Sequence, residues 1–421
     1  MKILVIGGGG REHAIVWKLA QSPRKPKIYC APGNAGISEL AECVPIAADA
    51  VEQLADFAER EGIDLTVVGP EVALSAGVVD EFEARGLRAF GPRREAALIE
   101  ASKAFAKDLM MTHGIPTAKY QTFTELEPAL QYIREQGAPI VVKADGLAAG
   151  KGVIVAQTLS EAEEAVRSIM EDKTFGEAGS RVVIEEFLTG EEATVLAFVD
   201  GSTVKLMVPS QDHKPVFDGD KGPNTGGMGT YSPVPRVKED LLHEIESTIV
   251  RPVVEAMAAK GTPYKGVLYA GLMLTEQGPK VIEYNARFGD PETQVVLPLL
   301  ENDLIDVAEA VIDGRLQEIE ISWNKGAAVC VVLAAEGYPG SYRKGDVIEG
   351  LDRLSGQVVA FHAGTNSVDG KYVTNGGRVL GVTGFGSDLK SAKENAYRGV
   401  EAIRFEGMHY RKDISDKAFR S

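Results

Sequence analysis

Only three cysteines occur in 421 residues, and Cys30, Cys43 and Cys330 are scattered, with no CxxC pair and no metal-ligand spacing. That scarcity excludes a disulfide-stapled scaffold and a cysteine-built zinc site; it reads as reduced core thiols of a cytosolic protein. No apolar run approaches the ~18 residues needed to span a bilayer. The N-terminal MKILVIGGGG turns to glycine after a short apolar start, which argues against a signal peptide. The chain is therefore expected to be soluble and cytoplasmic. Positive charge is also short: 45 Lys and Arg against 61 Asp and Glu leave a formal net charge of -16. A phosphate backbone needs the opposite balance, so neither nucleic acid nor membrane is an expected partner. A small anionic substrate held by a few local cations stays compatible. Internal repeats and low-complexity linkers are missing, as is any Ser-His-Asp or Cys-His set that would supply a protein nucleophile.

What is present is an ordinary globular composition, 44% hydrophobic and 25% charged, in a chain too long for one core. The first hundred residues alternate short β runs with helical patterns. KILVI (2–6), KIYCA (27–31), DLTVVGP (64–70) and LRAFGP (87–92) are strands, with helices at EHAIVWKLAQS, 51–62 and 79–86. This rhythm predicts a doubly wound parallel sheet, whose ligands sit beyond the carboxyl ends of its strands. Those ends are Gly7–Gly10, APGNAG and GPE, all rich in glycine or turn residues. A second unit opens with a helix over 102–114, then the strand PIVVKADG (139–146), the turn GLAAGKGV and the strand VIVA. After a helix over 160–171, RVVIEEFLTGEEATVLAFVDG (181–201) reads as two strands. Residues 209–235 read as a long polar loop, of the kind that is functional or disordered. A helix over 238–260 and the strands VLYAGLML and PKVIEYN follow, and a last unit begins near 327 with AAVCVVLAAE.

Several stretches carry chemistry. GGGGREH follows a strand and opens a helix, a context for a phosphate cradle, a dinucleotide fingerprint or a plain tight turn. The second strand ends CAPGN without the acid a dinucleotide ribose needs, which weakens the nicotinamide reading. KADGLAAGKG joins Lys143 at a strand end to a glycine turn carrying Gly146, Gly150, Lys151 and Gly152. Its amides can approach phosphate closely and its two ammonium groups offset triphosphate charge. Gly152 after Lys151 excludes a Walker A motif. EEFLTGEE sets Glu185 and Glu192 around Phe187 and Leu188: an apolar slot and a carboxylate for a purine nucleoside, or a hairpin with an acidic tip. Asp212 and Lys214 in DHK, and Asn224, Thr225, Gly226 and Gly227 in NTGGMG, offer a local cation and a backbone nest. Glu283, Asn285 and Arg287 in EYNARFGDPETQ alternate along a strand and share one face. Glu283 and Asn285 supply two oxygens of the kind Mg²⁺ accepts, though a solvated edge strand has the same pattern. His362 and His409 read as satisfied surface or core histidines.

The order of these stretches resembles the ATP-grasp superfamily, whose two α+β lobes clamp ATP. GGREHA, APGNAG, VGPE, KADGLAAGKGV, SQDHK, GPNTGGMG and above all RFGDPETQ resemble the glycinamide ribonucleotide synthetase family, from Met1 to the NGGRVLGVTGFG segment at 375–386. The resemblance implies an α/β and α+β multidomain fold: an N-terminal doubly wound parallel-sheet domain (1–101), central ATP-grasp lobes (102–326, with a lid at about 118–192) and a small C-terminal α/β domain (327–421). It implies ATP with Mg²⁺ or Mn²⁺, and glycine and 5-phosphoribosylamine as substrates of a monomer, joined through a glycyl phosphate. Lys103 and Lys143 then belong on the nucleotide phosphates under the Gly146–Gly152 lid, Glu185, Phe187 and Leu188 around adenine, and Glu192 on the ribose. Glu283 and Asn285 would hold the metal, Arg287 the transferring phosphoryl group, and Asp212, Lys214 and Asn224–Gly229 the glycine end. Gly9, Gly10, Asn34 and Glu71 would face the ribose phosphate. Asp290 and Glu292 are read as turn chemistry or, preferably, as partners for Arg287. VLYAGLML lacks the acid that many ATP-grasp enzymes place there, which weighs against a two-metal site. The alternatives are another ATP-grasp ligase or carboxylase of purine metabolism, a nicotinamide-dependent oxidoreductase, and a non-catalytic nucleotide-binding regulator.

Overall fold

The computed structural model describes residues 1–147, 152–172, 174, 176–354 and 356–420. Gly150 and Lys151 of the glycine turn lie outside the described residues.

The N-terminal sheet has the order β3-β2-β1-β4-β5, formed by β1 (Lys2–Gly7), β2 (Lys27–Pro32), β3 (Glu42–Cys43), β4 (Leu65–Val68) and β5 (Ala89–Phe90). All its pairings are parallel, as the β-α-β rhythm requires. The order reverses beside β1, so the loops after β1 and β4 form the crevice of such a sheet. Helix α1 (Gly10–Leu19) starts there. A side chain at Gly8 would sit 2.5 Å from the Gly33 carbonyl, so only glycine lets the loops after β1 and β2 touch.

Residues 118–192 carry a separate small core, Ala129, Leu130, Ile133, Val142, Val166 and Ile184 among its members. Its antiparallel sheet, β6-β9-β7-β8, comprises β6 (Tyr120–Phe123), β7 (Ile140–Ala144), β8 (Val153–Ala156) and β9 (Val182–Glu186). The chain then enters the long strand β10 (Glu191–Asp200) and returns along β11 (Val204–Leu206). Val195, Leu196 and Phe198 of β10 are fully buried; each contributes ~1.5–3 kcal/mol relative to exposure.

The segment 209–235, expected to be a loop, instead forms four short strands: β12 (Gln211–Asp212), β13 (Pro215–Phe217), β14 (Lys221–Asn224) and β15 (Gly229–Ser232). After helical residues 239–259 come β16 (Lys265–Thr275) and β17 (Gly278–Asn285), completing the sheet β11-β10-β16-β17. The last unit adds β18 (Ala327–Ala334), β19 (Val358–His362), β20 (Thr365–Val368), β21 (Lys371–Thr374) and β22 (Arg378–Gly386). Its main sheet, β12-β15-β18-β22-β19, takes two strands from 209–235, so the central and C-terminal units share one sheet. Among the described residues no helix is long and apolar enough to cross a membrane.

Candidate active site

A cavity of about 430 Å³ opens between the two antiparallel sheets of residues 102–326 and reaches the switch point of the N-terminal sheet. At one end, Lys143 closes β7 with its Nζ 2.9 Å from Glu185 Oε1 and donates to the Ile282 carbonyl at 3.2 Å. Lys107 reaches the other oxygen of Glu185 at 2.9 Å and donates to Thr117 Oγ1 at 2.7 Å. Both lysines and Glu185 are buried, and burial lowers the Lys107 pKa to about 8. Lys107 was not singled out in the sequence; its signal is the i,i+4 spacing from Lys103 in SKAFAKD, which puts both on one helix face. Ser102 caps that helix by accepting from Phe105 N, and Asp145 accepts from Ser102 Oγ and Ala104 N, each at 3.1 Å. These bonds pin the loop after β7 to the helix, and Lys103 Nζ donates to the Gly146 carbonyl at 2.9 Å. Burial lowers the Lys103 pKa. Phe187 and Leu188, between β9 and β10, form the neighbouring wall, with Gly152 close by.

In the middle of the cavity, Glu283 and Asn285 project from β17 two residues apart, as their alternation predicts. Lys214 Nζ stands 3.8 Å from Glu283 Oε1 and 3.7 Å from Glu192 Oε2, bridging the two acids. Burial would raise the Glu283 carboxyl, yet Lys214, Lys143, Lys103 and Arg287 hold it below the ordinary range. Burial would lower the Lys214 ammonium, yet Glu192 and Glu283 push it well above its usual value.

Arg287 is tied to carboxylates: Nε lies 3.1 Å from Glu71 Oε2 and Nη2 2.8 Å from Glu100 Oε1. Glu100, a second residue missed in the sequence, also accepts from Ala286 N at 2.7 Å. The preferred reading of Asp290 and Glu292 as partners of Arg287 is corrected here. Asp290 accepts from Arg11 N (3.3 Å) and Gln294 Nε2 (2.9 Å) and faces Arg378 Nη1 at 3.4 Å. Glu292 accepts from Tyr269 Oη at 2.9 Å, and Tyr269 in turn receives Thr194 Oγ1 at 3.1 Å. A buried tyrosine and a residue of the C-terminal sheet satisfy these acids better than Arg287, already neutralised on its other side. Burial and the neighbouring Glu292 push the Asp212 carboxyl well up, and burial raises Glu292 too.

The glycine loop is internally bonded. Gly226 N donates to Tyr338 Oη (3.0 Å) and Gly227 N to Thr225 Oγ1 (2.9 Å), so neither amide is free for a backbone nest. Thr225 N and Oγ1 both donate to the Lys214 carbonyl, at 2.8 and 2.7 Å, which fixes the cation relative to the loop. Asn224, Thr225 and Gly226 line the cavity, as do Asp212 and Lys214. Gly227, at φ +126°, has room for no side chain: a Cβ would lie 2.7 Å from Asp212 Oδ1.

Of the four N-terminal residues assigned to the ribose phosphate, Glu71 lines the cavity whereas Gly9, Gly10 and Asn34 do not. Gly9 N donates to Glu12 Oε2 at 2.7 Å, so this amide at the start of α1 is satisfied from within the helix. Asn34 donates to the carbonyls of Gly8 (3.0 Å) and His362 (2.8 Å) and accepts from Gly36 N and Ile37 N, so it ties the N-terminal loops to the C-terminal unit. His362 and His409 are satisfied by Thr365 Oγ1 and the Val216 carbonyl, as their isolation suggested.

Two antiparallel lobes closing on one cation-lined cavity, beside a parallel N-terminal sheet, define an ATP-grasp enzyme. The chain matches the models of three domains of phosphoribosylglycinamide synthetase: the N domain over residues 1–100, the ATP-grasp (A) domain over 101–293 and the C domain over 328–417. It is similar to the phosphoribosylamine–glycine ligases of Pseudomonas aeruginosa (56% identity; 99% of this chain, 98% of the relative) and Caldanaerobacter subterraneus (52%; 99% of each). The crystal structure of phosphoribosylamine–glycine ligase from Thermotoga maritima superposes with a TM-score of 0.85 at 35% identity, covering 98% of this chain and 100% of that one. The chain belongs to the phosphoribosylglycinamide synthetase family.

Proposed function

We infer that the chain joins glycine to 5-phosphoribosylamine, converting ATP to ADP and phosphate and yielding glycinamide ribonucleotide for purine synthesis. One observation carries this reading. The ATP-grasp set Lys103, Lys143, Glu185, Glu192, Glu283 and Asn285 lines the same cavity as Arg287, Asp290 and Glu292 of RFGDPE.

Glu283 and Asn285 are two hard oxygen donors open to that cavity. Among the described residues no group of three His, Cys, Asp or Glu side chains gathers as a metal cage. A pair of this kind fits a divalent cation such as Mg²⁺ or Mn²⁺, which keeps its other positions for water and phosphate oxygens. When bound, such an ion supplies charge neutralisation on the nucleotide phosphates. The protein's part is positioning and electrostatics. Lys103 and Lys143 hold the phosphates below Gly146 and Gly152; Glu185 with the backbone of Phe187 and Leu188 frames adenine, and Glu192 takes the ribose hydroxyls. A glycine carboxylate oxygen attacks the γ-phosphorus and ADP departs, leaving glycyl phosphate. The amine of phosphoribosylamine then attacks the acyl carbon, phosphate leaves, and the amine surrenders a proton. Lys214 and Arg287 stabilise the anionic oxygens through both steps, and Asp212 with the Asn224–Gly227 loop bounds the glycine end. The free thiols, Cys30 and Cys330 buried and Cys43 partly exposed, fit a reducing cytoplasm.

The test is ADP release with glycine and freshly generated phosphoribosylamine, each omitted in turn, and with bicarbonate or D-alanine in place of glycine. Release that needs both substrates is expected; turnover with bicarbonate alone would overturn the reading.

A further inference from the structure

One end of the cavity holds a cation that none of these roles uses. Arg378, the first residue of β22, is the single contribution of residues 327–421 to the cavity wall among the described residues. Its Nη1 donates to the carbonyls of Gly226 (2.9 Å) and Asp290 (3.0 Å), which fix the guanidinium plane. Among the described residues no hydrogen bond engages its Nε or Nη2, and its side chain stays 22% exposed. Arg11 enters the same cavity from the N-terminal unit. It donates Nε to Glu12 Oε1 at 2.6 Å and Nη1 to the Phe288 carbonyl at 3.2 Å, with Glu71 3.8 Å from Nη1, and among the described residues Nη2 has no hydrogen bond.

Arg378 and Arg11 also face acids, Asp290 at 3.4 Å and Glu12 at 2.6 Å, but each keeps its Nη2 clear among the described residues; Lys103 donates to the Gly146 carbonyl at the nucleotide end. Lys107 and Lys143 sit on Glu185, Lys214 spans Glu192 and Glu283, and Arg287 is held by Glu71 and Glu100. At the start of α1 the Gly9 and Arg11 amides are taken by Glu12 and Asp290. A second anionic substrate entering beyond Arg287 therefore meets Arg378 and Arg11. Resting on the ligase reading above, we infer that Arg378, with Arg11 of the same cavity wall, binds the 5-phosphate of the ribosyl substrate. A planar guanidinium with two parallel donors matches a phosphate in a way an ammonium does not. The sugar phosphate thus docks where the N-terminal, central and C-terminal units meet, and the C-terminal unit acquires a direct part in substrate recognition.

The test measures binding of glycinamide ribonucleotide, and of the same compound without its phosphate, to the full chain by titration calorimetry. Wild type is expected to prefer the phosphorylated ligand, and Arg378→Gln to reduce that preference about 10- to 100-fold. ATP binding, read in parallel, should not change. An Arg378→Gln variant that weakens both ligands equally, or neither, would show a purely structural arginine and overturn the inference. Arg378→Lys keeps the interdomain cation and serves if the glutamine variant does not fold; about a tenfold reduction is expected, and an unchanged preference overturns the inference. Wild type that binds neither ligand would instead defeat the ligase reading itself.

Discussion

Glu185 illustrates how single residues divide between holding the fold and doing chemistry. It is buried between the ammonium groups of Lys107 and Lys143, both at 2.9 Å. A buried carboxylate that loses one partner is costly even when another remains, because its desolvation is no longer offset. Lys107→Met is expected to lower the unfolding free energy by about 3 kcal/mol, read as a shift in urea midpoint, and to raise KM for ATP by leaving Lys143 as the sole cation on Glu185 and so less available to phosphate. A wild-type midpoint and KM would refute this. Glu283 is the opposite case, since among the described residues its nearest ion-pair partner lies 3.8 Å away and its side chain is 30% exposed. Glu283→Ala is therefore expected to change stability by less than about 1 kcal/mol, while glycine-dependent ADP release falls about 100-fold or more. Undiminished release at saturating Mg²⁺ would sink the metal assignment.

Among the elements, β12 and β15 matter most, because they carry Asp212 and the glycine loop yet pair into the C-terminal sheet. Ending the chain after Gly326 would strip β15 of β18 and leave a bare edge, a template for aggregation. Such a fragment is expected to be insoluble or to lack a cooperative melt; a soluble fragment with a sharp transition would show that the central unit closes its own sheet. Gly227→Ala would strain a backbone at φ +126° and push on Asp212; a loss of about 1–3 kcal/mol is expected, with a higher KM for glycine. β1, β2, β4 and β16–β17 were legible in the sequence because their runs are apolar, several residues long and bounded by glycine or turn residues, whereas the two-residue edge strand β3 was not. Segment 209–235 was not, since strands of two to four residues broken by proline carry no periodicity, and β15, which β12 pairs with, takes its register from β18 about a hundred residues away. The site divides the same way. Glu283 and Asn285 show in a strand's alternation and Lys107 only as the i,i+4 neighbour of Lys103, whereas Glu100 and Arg378 acquire meaning from partners far along the chain.

For the whole molecule, acid sensitivity follows from three buried histidines that join distant segments. His13 Nδ1 accepts from His362 N at 2.7 Å, tying α1 to β19. His213 Nδ1 bonds the Gly229 carbonyl at 3.1 Å, while its Nε2 accepts from Ser415 N at 3.3 Å. Both accepting nitrogens need neutral rings. Burial, with the neighbouring His362 ring for His13 and Lys417 and Arg411 for His213, lowers these two to about 3, and burial lowers His362 to about 4. An unfolded histidine binds its proton near pH 6.5, so below that value the unfolded state holds more protons and stability rises with pH. The contribution is complete above about pH 6.5 and is lost as the pH falls toward the folded values, at up to about 1.4 kcal/mol per pH unit for each ring. Burial raises the Glu100, Asp212 and Glu292 carboxyls, which gives the opposite slope above their unfolded values. The histidine contribution is therefore isolated by difference. In His13→Gln the amide oxygen can still accept from His362 N but cannot take up a proton. Urea midpoints at pH 7, 6 and 5 should fall less steeply with acid in that variant, by close to one proton's slope. Parallel pH profiles for wild type and variant would show that His13 does not titrate on unfolding.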